Sequence, residues 1–337
     1  MPVTPELREG DAWLAGLRGD PVAPRTLATL DVRTSRVPLA GRGAKWRRFF
    51  VGVLWLSAAG SDSHVLSVSD GDRAAGSIVE GMPARADYEG SLASVYDRGR
   101  NLLPEAIESW RHAVCEHVAG PVDRVLDLGA GTGRFSGLLA DWLEASTVAA
   151  LEPAAAMRRA AARQGRVAGV AMVGAAAEQL PLRDRCVDVA WLSNVVHHFD
   201  DLDAAASELA RVVVDEGRIL IRGYFPDRSE PVVWSRWFPG AQMVADRFPT
   251  LELVARAFAR SGLEIIAVDR VQYSAAESLA DSRRRAELRA DTTLACLSEE
   301  EFGDGLAAMD HDLVAEPEAT WPAESLELVV LARTPMD

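Results

Sequence analysis

The hydrophobic pattern of this chain changes character near residue 85. Before it, Gly, Pro, Ser and Asp are scattered without a sustained period of 2 or 3.6, so residues 1–84 read as a weakly ordered extension. After it, apolar runs alternate with helical stretches. PEAIESWRHAVCEHVA, residues 104–119, sets Ile107, Trp110, Val114 and Val118 at helical spacing behind a proline that suits a first turn. RVLDL (124–128), TVAALE (147–152), VAMVG (170–174), VDVAWLS (187–193) and RILIRGY (218–224) read as strands. Helices fall between them, from Arg134 to about Leu143, up to about Arg163, and from about Leu202 to Val213.

Strand, helix, strand repeated in this way predicts a parallel sheet covered on both faces, a doubly wound α/β architecture. A helix near 250–261, then EIIAVDRVQ (264–272) and LELVVLAR (326–333), bring the predicted sheet to seven strands, mostly parallel, with the last antiparallel at its edge. The stretch SRRRAELRADTTLACLSEEEFGDGL (282–306) alternates in charge at helical spacing and reads as a solvated helix pair. One domain over 85–337 is therefore expected, following the extension.

Charge narrows the partners. The net charge is −14, and residues 1–81 carry +1, so the remainder carries −15. Such a surface disfavours nucleic acid or an anionic membrane and leaves a small molecule as the expected partner. Cys115, Cys186 and Cys296 lie far apart, with neither metal-ligand nor disulfide-framework spacing, and point to a reduced, cytoplasmic setting. KWRRFFVGVLWLSAA (45–59) resembles the opening of a secretion signal, but its apolar run is too short to span a bilayer and begins 45 residues in. Met82 directly precedes the first patterned segment and is a candidate for the true start of the chain.

The chemistry concentrates in VLDLGAGTGRF, residues 125–135. Glycines at 129, 131 and 133 follow a strand and open a helix, the usual cradle for a ligand in such sheets. A dinucleotide fingerprint requires a glycine where Arg134 stands, so the spacing is wrong for one. Asp127, two residues before the loop, repels a pyrophosphate and attracts an ammonium group. Glu152, nineteen residues past Gly133, ends the second strand, where an acid accepts from both ribose hydroxyls. The ligand expected is one with an amine and a ribose but no bridging phosphate.

At this point the chain resembles the class I S-adenosylmethionine-dependent methyltransferases, in particular the small-molecule branch near the ubiquinone/menaquinone-type enzymes. The resemblance covers about residues 86–333 and rests on DLGAGTG, LEP at 151–153 and AAAEQLPLRDRCVDVAWLSNVVHHFDD at 175–201, in that order. It implies S-adenosylmethionine as cofactor. Asp127 and the backbone of Gly129, Ala130, Gly131, Thr132 and Gly133 would hold its methionine end, and Glu152 its ribose. Pro153 and Met157 would pack near the adenine, with the backbone of Ala177 and Glu178 beside the ring. Ser193, Asn194 and Val195 would run along the methionine portion, and Tyr96, in a lid over 88–100, would sit near the carboxylate. Relatives commonly carry Asp at the position of Ala176, which cannot accept from the adenine amino group.

Methyl transfer from a sulfonium needs chiefly a positioned acceptor and exclusion of water. His198 and His197 follow the fourth strand and are the catalytic candidates, as bases or as groups orienting the acceptor; otherwise they shape the loop. They complete no metal set. Segments 85–104 and 225–250 are the expected substrate cover. Tyr88, Trp234, Trp237 and Phe238 would line it unless the aromatics pack the inserted helix. Arg222 would meet an acidic substrate or else form an ion pair within the fold. SNVV stands where nucleic-acid and protein methyltransferases carry an Asn/Asp-Pro-Pro-Tyr motif. The function expected is methylation of O, N or C on a small metabolite, in a biosynthetic setting. The alternative is a related enzyme that binds the same cofactor but catalyses a cyclisation or elimination.

Overall fold

Strands that are apolar on both faces need helices on both sides, and this chain supplies them in turn. The computed structural model describes residues 88–334 other than Ser91, Pro121 and Arg166; the apolar run at 45–59 and Met82 lie outside the described residues. Two helices, α1 (Leu92–Arg100) and α2 (Pro104–His117), precede the first strand. The core unit then runs β1 (Arg124–Leu128), α3 (Arg134–Trp142), β2 (Thr147–Leu151), α4 (Ala155–Arg163), β3 (Val170–Val173), β4 (Val187–Ser193), α5 (Leu202–Val212) and β5 (Val213–Gly223). After it come α6 (Pro239–Ala245), α7 (Leu251–Arg260), β6 (Leu263–Tyr273), α8 (Leu279–Ala286), α9 (Thr292–Ala295), α10 (Glu299–Ala315) and β7 (Glu324–Arg333).

The strands form one seven-stranded sheet in the order β3-β2-β1-β4-β5-β7-β6. The first five are parallel, while β7 runs antiparallel to both β5 and β6. β7 is antiparallel as expected but lies inside the sheet, and β6 is the edge. The reason is visible in the residues. Leu328, Val329, Val330 and Leu331 are fully buried, as an interior strand requires, whereas β6 alternates with exposed Glu264, Ile266, Arg270 and Gln272.

Each face of the sheet carries its own core. On one side Leu126, Leu192, Ile219 and Ile221 pack with Ala205 and Leu209 of α5 and Phe258 of α7. On the other, Trp191 and Leu220 pack with Trp110 of α2 and with Phe135 and Leu139 of α3. A third, smaller core is built by the late helices, where Trp237, Phe238, Leu279, Leu294, Phe302, Met309 and Trp321 come together. The stretch 282–306 is thus part of a cap and not a solvated pair: Ser282, Ala286, Leu294, Leu297 and Phe302 face inward. Its half-buried charges are paired, Arg283 with Asp310 and Glu287, Arg285 with Asp281 and Arg289 with Glu299. Ser298 and Glu301 form a capping box that starts α10. Among the described residues no helix is long and apolar enough to cross a membrane.

Gly305 of α10 shows how tightly the cap is packed. A Cβ there would lie 2.1 Å from the ring of Phe238. Gly305→Ala gains about 1 kcal/mol of helix propensity but overfills the core at a cost of about 1–3 kcal/mol. Urea unfolding is expected to show a net loss of stability in the native background, and a gain when Phe238 is replaced by Ala, which removes the ring atoms that the new methyl would meet.

Candidate functional site

Sheet order reverses at β1, whose neighbours β2 and β4 lie on opposite sides, and a crevice opens beyond the carboxyl ends of these strands. The turn after β1 is shaped by backbone chemistry. Gly129 and Gly131 have φ of +71° and +59°, the left-handed region that glycine enters without penalty. A side chain at Gly129 would also collide with the next turn, since its Cβ would lie 2.2 Å from Cγ2 of Val195. The bare position is therefore required by the contact of two turns as well as by access to the crevice. Gly129 and Ala130 donate their N–H groups to the carbonyl of Leu151. Glu152, at the end of β2, accepts from the N–H of Gly131 through Oε2 (2.9 Å) and of Ala154 through Oε1 (2.7 Å).

The resulting cleft has a volume of about 310 Å³. One wall is Leu128, Gly129, Gly131, Pro153 and Met157; the opposite wall is Ser193, Asn194, Val195, His198 and Phe199, with Ala175–Ala177 between them. Its charge is one-sided. Glu89, Glu152, Glu178 and Asp200 line it, and no lysine or arginine stands among its described lining residues. Each of the three glutamates serves backbone as well. Glu89 takes the N–H groups of Ala155 and Ala156 at the start of α4, and Glu178 those of Asp200 and Asp201. Burial pushes the Glu152 carboxyl above its usual range, opposed by its two backbone donors. For Glu89 the balance is reversed: burial acts upward, but the donors from Ala155 and Ala156, helped by Arg158 and Arg159, hold the carboxyl low.

A second chamber of about 110 Å³ adjoins the cleft, and Tyr88, Tyr96 and Asn194 stand on the walls of both. Tyr88 ties the divide together. Its hydroxyl lies 3.2 Å from Nε2 of His198 and 3.0 Å from Oγ1 of Thr292 in the cap. Burial raises the pKa of this phenol, so it stays protonated. His197 lines the chamber and stacks on Phe248, with ring centres 4.0 Å apart and an interplanar angle of 7°. Burial, His198 and Arg100 drive its pKa well below the ordinary histidine value, which makes it neutral. Among the described residues its Nε2 has no hydrogen-bond partner.

The structure brings most of the residues singled out in the sequence together at these two cavities. Tyr96, Gly129, Gly131, Glu152, Pro153, Met157, Ala177, Glu178, Ser193, Asn194, Val195 and His198 line the cleft; Tyr88 lines both cavities; His197 and Trp234 line the chamber. Asp127, Ala130, Thr132 and Gly133 do not line the cleft. Thr132 donates to Asp97, and Asp127 is sealed in, its Oδ2 accepting from Oγ of Ser136 at 2.6 Å.

Three expectations for the acceptor side need correction. Trp237 and Phe238 are 5% and 1% exposed and fill the core of the cap, away from either cavity. Arg222 is 2% exposed, lies over the ring of Trp110 at 4.5 Å, and among the described residues forms no ion pair. It lines neither cavity and is packed instead among Trp110 of α2, Phe135 of α3 and Tyr273 of β6. Sequence reasoning missed Tyr224, Phe248, Tyr273, Asp291, Thr292 and Glu324, all on the walls of the chamber. They come from five separate stretches of chain, so no local spacing announces them.

Comparison with known proteins bears on the family and the fold. Residues 126–221 match the family described as "Methyltransferase domain". A malonyl-[acyl-carrier protein] O-methyltransferase of Methylococcus capsulatus is 35% identical over 137 residues, which are 40% of this chain and 46% of that protein. A protein of the same name from Geobacter sulfurreducens is 30% identical over 161 residues, 44% of this chain and 60% of the relative. The chain thus spans about half the length of the curated relatives it matches. A putative methyltransferase from an antibiotic biosynthesis pathway of Anabaena variabilis has the same fold, with a TM-score of 0.55 at 20% identity, covering 70% of this chain and 100% of that one.

Asp127 gives a test of the site's electrostatics. Burial, opposed by the Ser136 hydroxyl and assisted by Glu152, raises its pKa to about 7. A carboxyl held above its unfolded value of about 4 binds its proton more tightly in the native state, so stability is lost as pH rises from about 4 to about 7. At about 1.4 kcal/mol per pH unit the loss is up to about 4 kcal/mol. Asp127→Asn keeps an acceptor for Ser136 and cannot ionise. In thermal unfolding, the variant is expected to gain over the native chain at pH 8 and to lose that advantage at pH 4.

Proposed function

We propose that this chain, whose residues 126–221 match a methyltransferase-domain family, binds S-adenosylmethionine in the cleft and methylates a small organic acceptor held in the adjoining chamber. The observation that carries the reading is the charge of the cleft: among the described residues four carboxyl groups and no cationic side chain line it, around a turn of bare backbone. That arrangement opposes a pyrophosphate and suits a ligand that carries an ammonium and a sulfonium.

The residues present fit such a ligand. Each oxygen of Glu152 has a second lone pair beyond the one its backbone donor uses, so the group can also accept from two ribose hydroxyls. Met157, Pro153, the three alanines at 175–177 and Phe199 give an apolar slot of the kind a purine fills. Ala176 offers no acceptor for an exocyclic amine, which costs about 1 kcal/mol and leaves binding intact. Bound there, S-adenosylmethionine supplies a methyl group activated by a positively charged sulfur.

The chain's own part is placement. Asn194, Tyr88 and Tyr96 face both cavities and form the divide across which acceptor and cofactor would meet. His198 fixes Tyr88 there through the contact of its Nε2 with the hydroxyl. His197, neutral and stacked on Phe248, stands on the acceptor side. In-line displacement gains its rate from such alignment and from exclusion of water, both of which the cap and the segment around Tyr88 provide.

Titration calorimetry with S-adenosylhomocysteine tests the cofactor site. Glu152→Ala removes the ribose acceptor and two backbone partners, and is expected to weaken binding about tenfold or more, about 1.4 kcal/mol. Equal affinity of variant and native chain overturns the placement. Methyl transfer itself is read as an acceptor product heavier by one CH₂ with one S-adenosylhomocysteine released; a product of unchanged mass points instead to a cyclisation or elimination.

A further inference from the structure

We propose that the acceptor is a small amine, carried into the aromatic chamber as a cation and held there by Glu324. The inference rests on the methyltransferase reading above and gives that site its substrate class. Its first support is the wall. Tyr88, Tyr224, Trp234, Phe248 and Tyr273 surround a space of about 110 Å³, close to the size of a cavity that holds one benzene ring. Aromatic faces attract cations, and more strongly once water is excluded.

The second support is the charge balance. One guanidinium, Arg100, and three carboxyl groups, Glu230, Asp291 and Glu324, stand on the walls. Arg100 is paired with Asp291, which also caps α9 through the N–H of Thr293. Glu230 is taken by Arg270. Glu324 is left over: among the described residues no cation forms an ion pair with it. The indole N–H of Trp321 satisfies Oε1 at 2.6 Å, but the nearest donor to Oε2, the Tyr273 hydroxyl, stands 3.5 Å away, too far for a normal hydrogen bond. Burial holds this carboxyl above its usual range against the pull of the Trp321 hydrogen bond and of Arg100 and Arg222, which act on it from a distance without forming an ion pair. His197, the histidine on this wall, is neutral, and among the described residues its Nε2 has no partner.

An ammonium has no lone pair, so the bound acceptor must give up a proton before it reacts. The Glu324 carboxylate takes that proton, breaking N–H and forming O–H. The freed nitrogen pair then forms the N–C bond to the methyl carbon as the C–S bond breaks, and sulfur keeps the bonding pair in the departing thioether.

Calorimetry on the full chain, saturated with S-adenosylhomocysteine, tests the class with three ligands of one shape: benzylamine, benzyl alcohol and benzoate. Benzylamine is expected to bind about tenfold or more tightly than benzoate. Glu324→Gln is expected to lose about tenfold for benzylamine while changing benzyl alcohol and S-adenosylhomocysteine by less than about twofold. Benzoate equal to or better than benzylamine, no binding of benzylamine, or a Glu324→Gln variant that keeps the native affinity for the amine overturns the proposal. The selectivity of the native chain decides the matter by itself should the variant fail to fold. Failure of S-adenosylhomocysteine to bind overturns the methyltransferase reading instead, so the two outcomes are distinct.

Discussion

The site depends on how closely the turn after β1 approaches the turn after β4. Val195 occupies the volume that any side chain at residue 129 would need, so the two turns interlock only because that residue is glycine. The interlock fixes the distance between the walls of the cleft. It also places Asn194 and His198, which follow β4, opposite Glu152, which follows β2. A glycine loop of this kind is usually explained by the ligand alone, but here packing between protein turns makes the same demand, and the two causes act on one residue.

Carboxylates hold the interlock in place. Glu152, Glu89 and Glu178 each accept from backbone N–H groups at the crevice rim, and these donors would otherwise be orphaned at helix starts and turns. Structural need therefore loads the cleft with negative charge. For Glu152 that charge is costly while uncompensated, since burial raises its pKa, whereas the backbone donors of Glu89 hold that carboxyl low. A cationic ligand offsets the cost, so the acids that shape the loops also select what enters. Stability and recognition draw on the same side chains and pull in opposite directions.

Much of this was legible in the sequence because it is local. β1 to β5, their helices, the left-handed turn and Glu152 follow from periodicity and from residues a few positions apart. The expectation for β7 failed on topology: the continuous apolar run 326–333 signals an interior strand, yet nothing nearby says that it inserts between β5 and β6. That insertion carries Glu324 and Tyr273 to the chamber, which is why both were missed. Trp237 and Phe238 were misplaced for a related reason. An aromatic-rich segment lines a pocket or fills a core equally well by composition, and only the distant partners Phe302 and Trp321 settle which.

Arg222 and Asn194 show where local rules and structure part most sharply. A guanidinium buried without an ion pair among the described residues breaks the ordinary pattern for charges, and burial, assisted by the nearby Arg100 and Arg134, pulls its pKa down to about 10. What compensates is diffuse: the rings of Trp110, Phe135 and Tyr273, and the hydroxyl of Ser193 at 3.2 Å. Asn194 supplies the rest. Turned so that its carboxamide oxygen faces the two guanidiniums, it accepts from Arg222 at 2.8 Å and from Arg100 at 3.2 Å. The same residue has φ of +52°, a conformation that costs a non-glycine residue about 1 kcal/mol or more. Two arginines thus hold a strained asparagine on the divide that it shares with Tyr88 and Tyr96, and its amide nitrogen is the end they do not use. Strain persists where the surroundings over-determine it, and here they do so at the boundary between cofactor and acceptor. The buried charge of Arg222 is best understood as the cost of that boundary's rigidity.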